Sequence, residues 1–328
     1  MIGFCLAAGA GTRLLPVTRT LPKPLLAPAG RPLVDLAVEA LETAGATRVV
    51  VNAHHGSELL VDALAGRDRV EVVVEPVLLG TGGGLVNAAR LGLLGDGDDP
   101  VLVTAADHVV DPADLVALAG SLERSGVPMV AGLVRAGPGA FGLRLEGADG
   151  GRVARDPQGP WDSAGAYAVR AGLLCDLEPG PASLVERVLG PLLDRGRLAG
   201  WPFRGPMADA GTLRRLLHVS AGLLAGHWPY ALPPGEVHRG VGTAPVFVAW
   251  GAEVDPAAVL AGPALLDTGS RVGAGAAVTR AIVGRDAVVG SGARVVGSLL
   301  APAARVAAGA TVTAALVPAA ERGNDRAG

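Results

Sequence analysis

The residues most able to do chemistry lie near the start of the chain, where positions 6–25 read Leu-Ala-Ala-Gly-Ala-Gly-Thr-Arg-Leu-Leu-Pro-Val-Thr-Arg-Thr-Leu-Pro-Lys-Pro-Leu. A glycine loop of this kind lets backbone N–H groups approach phosphate oxygens, and Leu6, Ala8, Gly9, Gly11 and Thr12 are the expected nucleotide-binding positions. Two familiar phosphate motifs do not fit. A dinucleotide fingerprint requires glycine where Leu14 stands, and a P-loop requires Gly-Lys-Ser/Thr where Gly11-Thr12-Arg13 stands. What remains is a loop with Arg13 to clamp a polyphosphate and Lys23 to neutralise a reacting phosphate. Lys23 is the single lysine among 28 basic residues. Its compact ammonium therefore stands out against a general use of arginine, and Pro22 and Pro24 restrict the backbone on either side of it.

The elements around this loop follow from apolar spacing. Residues 2–7 form a buried first strand that feeds the loop, and apolar residues at helical spacing from Leu33 to Leu41, after Pro32, predict a helix. Strands at 48–52, 70–74 and 101–105 then alternate with helices at 57–65, after Thr81, and at 112–124. Continuous Val/Leu strands separated by helices predict an α/β fold, a Rossmann-like mostly parallel sheet flanked by helices. Ligands on such sheets bind beyond the carboxyl ends of the strands. Asp107, just past the strand at 101–105, is placed to meet one there.

After a Pro- and Gly-rich stretch the pattern changes. Val248, Val254, Leu260, Leu266, Val272 and Val278 recur every six residues, and the segments 272–278, 289–295 and 306–312 recur every seventeen. Neither helix nor simple strand explains those periods; a parallel β-helix of hexapeptide repeats does. The expected organisation is a catalytic domain over 1–228, a linker over 229–245, a β-helix over 246–317 and a flexible tail over 318–328.

Composition narrows the class. The 328 residues carry a net charge of -3, which lacks the basic footprint of a nucleic-acid binder, and no apolar run reaches the ~20 residues of a membrane helix. Two cysteines and a start without the positive region of a secretory signal point to a cytoplasmic protein with reduced thiols, and neither a nucleic-acid nor a membrane partner is expected. The neighbouring His54 and His55 lack ligands at metal spacing and read as a loop rather than a zinc site.

The run from Leu6 to Leu25 resembles the signature of the sugar-1-phosphate nucleotidylyltransferases. Further pieces agree in order: Leu79-Gly-Thr-Gly-Gly-Gly-Leu85, Phe141-Gly142, Gly165-x-Tyr167 and Asp209-Ala-Gly-Thr212. A C-terminal left-handed β-helix is similar to that of the mannose-1-phosphate guanylyltransferase branch. The resemblance implies transfer of a nucleoside monophosphate from an NTP to a sugar-1-phosphate, GTP with mannose-1-phosphate first and UTP or dTTP as the alternatives. It also implies Mg2+ held by Asp107 and Asp209, which with Arg13 and Lys23 make the catalytic set. Gly80 and Gly83 are expected at the nucleotide, and Gly142, Arg155, Ser163, Gly165 and Glu186 at the sugar phosphate; Glu75 is open between facing the nucleotide and a solvated strand end.

Departures sit beside the matches. Arg155-Asp156-Pro157 stands where the family has Glu-Lys-Pro, so Arg152 or Arg155 must replace the lost cation, the acceptor is unusual, or the protein is a noncatalytic nucleotide-sugar-binding subunit. All six histidines precede the β-helix, which leaves that domain without the base an acyltransferase needs. It is expected to be structural, regulatory, or to pair subunits into a homo-oligomer through exposed aliphatics near Leu299 and Leu316.

Overall fold

The computed structural model describes residues 1–147, 149–239, 241–242 and 244–320. Its contacts divide the chain into two compact units, one of Met1–Ala10 and Leu33–Ala208, the other of Gly11–Pro32 and Asp209–Gly328. The chain thus passes from one unit to the other in the middle of the glycine loop.

The first unit is built on a nine-stranded sheet. Its strands are β1 (Ile2–Leu6), β2 (Arg48–Ala53), β3 (Val70–Val74), β4 (Pro100–Ala105), β6 (Met129–Arg135), β7 (Leu143–Glu146), β8 (Arg152–Arg155), β9 (Trp161–Arg170) and β10 (Leu198–Pro202), with a short β5 (His108–Val110) beside it. Their order is β3-β2-β1-β4-β9-β6-β10-β8-β7. The half from β3 to β4 is parallel as the Val/Leu runs predict. Beyond it β9 pairs antiparallel with both β4 and β6, so the sheet is mixed. Helices α1 (Leu33–Thr43), α2 (Ser57–Leu64), α3 (Gly80–Arg90), α4 (Pro112–Ser125), α5 (Ala171–Cys175) and α6 (Gly190–Asp194) complete the unit. Phe4, Val50, Val101, Val103 and Leu85 are fully buried in one cluster, which is why β1, β2 and β4 carry apolar residues at almost every position. Asp111 starts α4 by accepting from the backbone N–H of Ala113, with Pro112 in the first turn, so α4 begins at a fixed point just past β5.

The second unit holds the β-helix. Parallel strands stack on three faces: Pro245–Ala249, Ala264–Leu266, Ile282–Val283, Leu299–Leu300 and Leu316–Val317 on one; Glu253–Val254, Arg271–Val272, Val288–Val289 and Arg305–Val306 on the next; Val259–Ala261, Ala277–Thr279, Arg294–Val296 and Thr311–Thr313 on the third. The first coil advances eighteen residues, Val246 lying beside Ala264, and later coils seventeen, Leu265 beside Ile282. Each corner carries a residue of positive φ at the same coil position, as in the column Gly275, Gly292, Gly309. Glycine suits such a bend because it has no Cβ to clash. Inward Val and Leu side chains from all three faces make one narrow core.

Two expectations change here. Leu299 is not an exposed pairing surface: Leu265, Ile282 and Leu299 alternate with the inward Leu266, Val283 and Leu300, yet all three are buried. Helix α7 (Leu213–Leu224), which follows the short strand β11 (Met207–Asp209), packs on the strands Pro245–Ala249 and Ala264–Leu266. Its apolar face needs a partner, and the outward stripe of the β-helix supplies one. The helix therefore belongs with the C-terminal unit, although the sequence-level boundary at 229–245 put it before the linker. That linker itself contains a strand, β12 (Gly235–Arg239), paired antiparallel with Pro245–Ala249. Gly240 and Thr243 of the linker, and residues 321–328 of the tail, lie outside the described residues.

Candidate functional site

In the first unit, candidate residues gather at the carboxyl ends of the parallel strands. Leu6 ends β1, Ala8 is buried just beyond it, and Gly9 is exposed. The Asn52 side chain accepts from the backbone N–H of Ala7 at 2.7 Å and donates to Glu75 Oε1 at 2.7 Å, and Glu75 Oε2 accepts from the N–H of Leu79. Glu75 is thus neither solvated nor open to a ligand, being 2 % exposed with both oxygens bonded. His54 Nδ1 lies 2.8 Å from the Glu75 carbonyl.

Asp107 follows β4 with its side chain 22 % exposed. The N–H of Ala106 donates to the Leu6 carbonyl, which sets Asp107 just past the end of β1, and the buried Cys5 thiol has its pKa pushed up, first by desolvation and then by the charge of Asp107. Beside it, His108 Nδ1 donates to the Ala164 carbonyl at 2.9 Å, leaving Nε2 3.9 Å from Asp107 Oδ1. The His108 ring packs against Gly165, where an added Cβ would lie 2.2 Å from Cε1. Ser163 Oγ lies 2.7 Å from the Tyr167 hydroxyl and accepts from the N–H of Gly165. Burial pushes the Tyr167 hydroxyl up to about 12.

Several residues expected at ligands also have packing partners. A Cβ on Gly80 would lie 2.7 Å from the Ala182 carbonyl and one on Gly83 2.5 Å from the Gly180 carbonyl, while the N–H groups of Gly82 and Gly83 donate to Ala182. These glycines let α3 seat against the segment 180–183. A Cβ on Gly142 would likewise lie 2.4 Å from the Asp156 carbonyl. Glu186 closes a capping box: its Oε2 accepts from the N–H and hydroxyl of Ser183, and Ser183 Oγ accepts from the N–H of Glu186. Those bonds hold the Glu186 carboxyl below its ordinary pKa.

The segment that departs from the family has a definite arrangement. Asp156 caps the turn to Gln158 and lies 3.7 Å from the Arg144 guanidinium. Arg152 donates to the Gly196 carbonyl, whereas Arg155 lies exposed with its guanidinium 4.7 Å over the Phe141 ring. Both candidate cations are exposed, Arg152 hydrogen-bonded to a backbone carbonyl and Arg155 stacked on an aromatic ring.

In the second unit the loop that follows Gly11 is compacted by three single 3₁₀ turns, Thr12–Leu14, Val17–Arg19 and Lys23–Leu25. The Thr18 hydroxyl donates to the Gly11 carbonyl, and a Cβ on Gly11 would lie 3.2 Å from Cβ of Lys23, so the loop folds back on the lysine. Thr12 and Arg13 are exposed. Gly211 has Arg13 Nη2 and Asp209 Oδ1 both within 3 Å of its missing Cβ. Asp209 Oδ1 accepts from the Gly211 N–H and Oδ2 from Arg215 Nη1. Thr212 caps α7 through the N–H of Arg215. Arg13, Asp209 and Arg215 are thereby brought together. Arg215 escaped the sequence reading, although its place one turn into the helix behind Asp-Ala-Gly-Thr is where such a partner would fall.

The nucleotidyl transferase family profile matches residues 2–155. The chain is 31% identical over 291 residues to the mannose-1-phosphate guanylyltransferase of Mycobacterium tuberculosis, covering 85% of this chain and 78% of that one. The chain belongs to the sugar-1-phosphate nucleotidylyltransferase family. Other relatives are the mannose-1-phosphate guanylyltransferase catalytic subunit beta of Danio rerio, 28% identical over 64% of this chain and 61% of its own length, and the mannose-1-phosphate guanyltransferase of Schizosaccharomyces pombe, 27% identical over 72% and 69%. As a member of this family the protein is a nucleotidyltransferase, and the family works with a divalent metal.

Asp107 in the first unit and Asp209 in the second each carry the carboxylate oxygens that a hard cation takes together with substrate phosphates and water. Asp209 must share or release Arg215 to serve. Among the described residues no group of three or more His, Cys, Asp or Glu could hold a metal by itself, and no helix is long and apolar enough to cross a membrane.

Proposed function

We propose that the protein transfers the nucleoside monophosphate of GTP to mannose-1-phosphate or a closely related sugar-1-phosphate. A phosphate oxygen of the sugar-1-phosphate attacks the α-phosphorus, a new P–O bond forms, the bond to the bridging oxygen breaks, and pyrophosphate leaves. The reaction asks for positioning and charge neutralisation rather than a covalent intermediate. Arg13 clamps the leaving phosphates and Lys23 neutralises charge at the reacting one. The glycine loop offers backbone N–H groups from Gly9 to Thr12. Mg2+, held by Asp107 and Asp209, would supply further charge neutralisation at the phosphates. Arg155 takes the acceptor phosphate in place of the family lysine, with Ser163 and Gly165 near the sugar.

The observation that carries this reading is the gathering of Arg13, Asp209 and Arg215 around Gly211, with Lys23 folded against Gly11. Such concentrated positive charge on an exposed glycine loop suits a polyphosphate. The names of the relatives favour GTP and mannose-1-phosphate over UTP or dTTP. The test is a pyrophosphate-release screen of GTP, UTP, dTTP, ATP and CTP against a panel of sugar-1-phosphates, with and without Mg2+. A metal-dependent signal for GTP with mannose-1-phosphate is expected. Release with another base alone would reassign the nucleotide, and nucleotide binding with silence across the panel would make the protein a noncatalytic member.

A further inference from the structure

The most unusual polar feature of the first unit is the pair Asn52 and Glu75, each 2 % exposed, lying under α3. A buried carboxylate is costly unless every oxygen finds a donor, and here each does. The hydrogen bonds form one line. The N–H of Ala7, first residue beyond β1, donates to Asn52 Oδ1; Asn52 Nδ2 donates to Glu75 Oε1; the N–H of Leu79, the residue before α3, donates to Glu75 Oε2 at 3.2 Å. Asn52 lies beside Leu6 in the β1–β2 register, and the N–H of Glu75 donates to the Ala53 carbonyl, so both side chains rise from adjacent strand ends. Gly84 closes the space above: a Cβ there would lie 2.5 Å from Glu75 Oε1 and 2.6 Å from Asn52 Nδ2. No neighbouring side chain can therefore replace either group.

We infer that Asn52 and Glu75 are positioning residues that fix the root of the glycine loop at Ala7 against the start of α3, and so set nucleotide affinity without touching the nucleotide. This rests on the nucleotidyltransferase reading above. The donor pattern is directional, which gives a sharp test. In Glu75→Gln the new amide can accept from Asn52 or from Leu79 but not from both, because its nitrogen must then face a donor. Adding Asn52→Asp reverses the central bond: the amide nitrogen at position 75 donates to the new carboxylate, whose other oxygen still accepts from Ala7, while the amide oxygen at position 75 accepts from Leu79. All three hydrogen bonds of the line are restored.

The experiment titrates GTP, UTP, dTTP, ATP and CTP with Mg2+ into the full chain, its Glu75→Gln variant and its Asn52→Asp/Glu75→Gln variant by calorimetry. KM for nucleotide and for sugar-1-phosphate is measured alongside. The expected result is that Glu75→Gln binds the nucleotide of the wild type about tenfold more weakly, with the KM for sugar-1-phosphate unchanged, and that the double variant recovers. Equal nucleotide affinity in the single variant overturns the inference while leaving the nucleotidyltransferase reading intact. So does a weakening that the double variant fails to restore. Absence of nucleotide binding by the wild-type chain overturns both.

Discussion

Substituting Gly165 tests whether the Asp107 region depends on close packing. At φ +68° an alanine carries the left-handed backbone penalty of ~1–2 kcal/mol, and its methyl would lie 2.2 Å from Cε1 and 2.4 Å from Nδ1 of His108. The ring must leave, which breaks the bond from His108 Nδ1 to the Ala164 carbonyl, worth ~1 kcal/mol net. Gly165→Ala is therefore expected to destabilise the protein by about 2–3 kcal/mol in urea denaturation. Because His108 adjoins Asp107, the rate of pyrophosphate release is expected to fall at least about tenfold as well. In a His108→Ala background the ring and its bond are already gone, and only the backbone penalty remains. The cycle should be subadditive by about 1 kcal/mol or more. Additivity within ~0.5 kcal/mol would refute the claim that the ring excludes a side chain at this position.

Three further predictions concern charge. Lys23→Ala is expected to lower turnover at least about a hundredfold with nucleotide-independent stability unchanged, read by single-turnover kinetics and thermal melting. Arg155→Ala should raise the KM for sugar-1-phosphate about tenfold, whereas Arg152→Ala, whose guanidinium is hydrogen-bonded to Gly196, should leave it within about twofold, since Arg155 makes no hydrogen bond to a backbone carbonyl that it must give up to take a phosphate. Burial holds the carboxyl of Asp267 above its ordinary pKa, so the folded protein binds that proton more tightly than the unfolded chain and loses stability as pH rises through the window between the two values. Asp267→Asn should stabilise the protein at pH 7 in denaturant titration, and the gain should vanish below about pH 3, where both carboxyls are protonated.

Elements whose signal is local were legible in the chain. The apolar run of β1, the helical spacing from Leu33 to Leu41, and the six- and seventeen-residue periods each describe how neighbouring residues face one core. The eighteen-residue first coil and the shorter later ones are also present in the spacing of Leu260, Val278, Val283 and Leu300 once the register is known. What was not legible depends on partners far apart in sequence. Leu299 reads as an exposed aliphatic because nothing nearby says that the outward stripe of the β-helix is covered, and α7 reads as an ordinary amphipathic helix because its acceptor strands begin more than twenty residues later. Asn52 drew no attention: its donor from Ala7 lies 45 residues away and its acceptor, Glu75, 23 residues away.

The same distinction explains why the motif located the site but blurred the roles within it. Gly80 and Gly83 sit in a run that resembles a nucleotide contact, yet the atoms that require glycine there are carbonyls of Gly180 and Ala182. Glu186 falls where a sugar contact is expected, yet Ser183-x-x-Glu186 is itself the spacing of a capping box. A signature of this kind records every constraint on a loop at once, from chemistry and from close packing, and residue type alone does not separate them. Exposure separates them in part: Thr12 and Arg13 are exposed on a loop whose Gly11, Thr18 and Lys23 are locked together, and although the Arg13 guanidinium occupies the space a Cβ on Gly211 would need, the residue stays on the solvent side. Asp156 shows the converse: its carboxylate caps a turn and faces Arg144, work a lysine could not do, so the loss of the family cation came with a new structural role. Any restoration of lysine at that position must then disturb the turn that also holds Gly142, and the acceptor side of the site is better altered through Arg155.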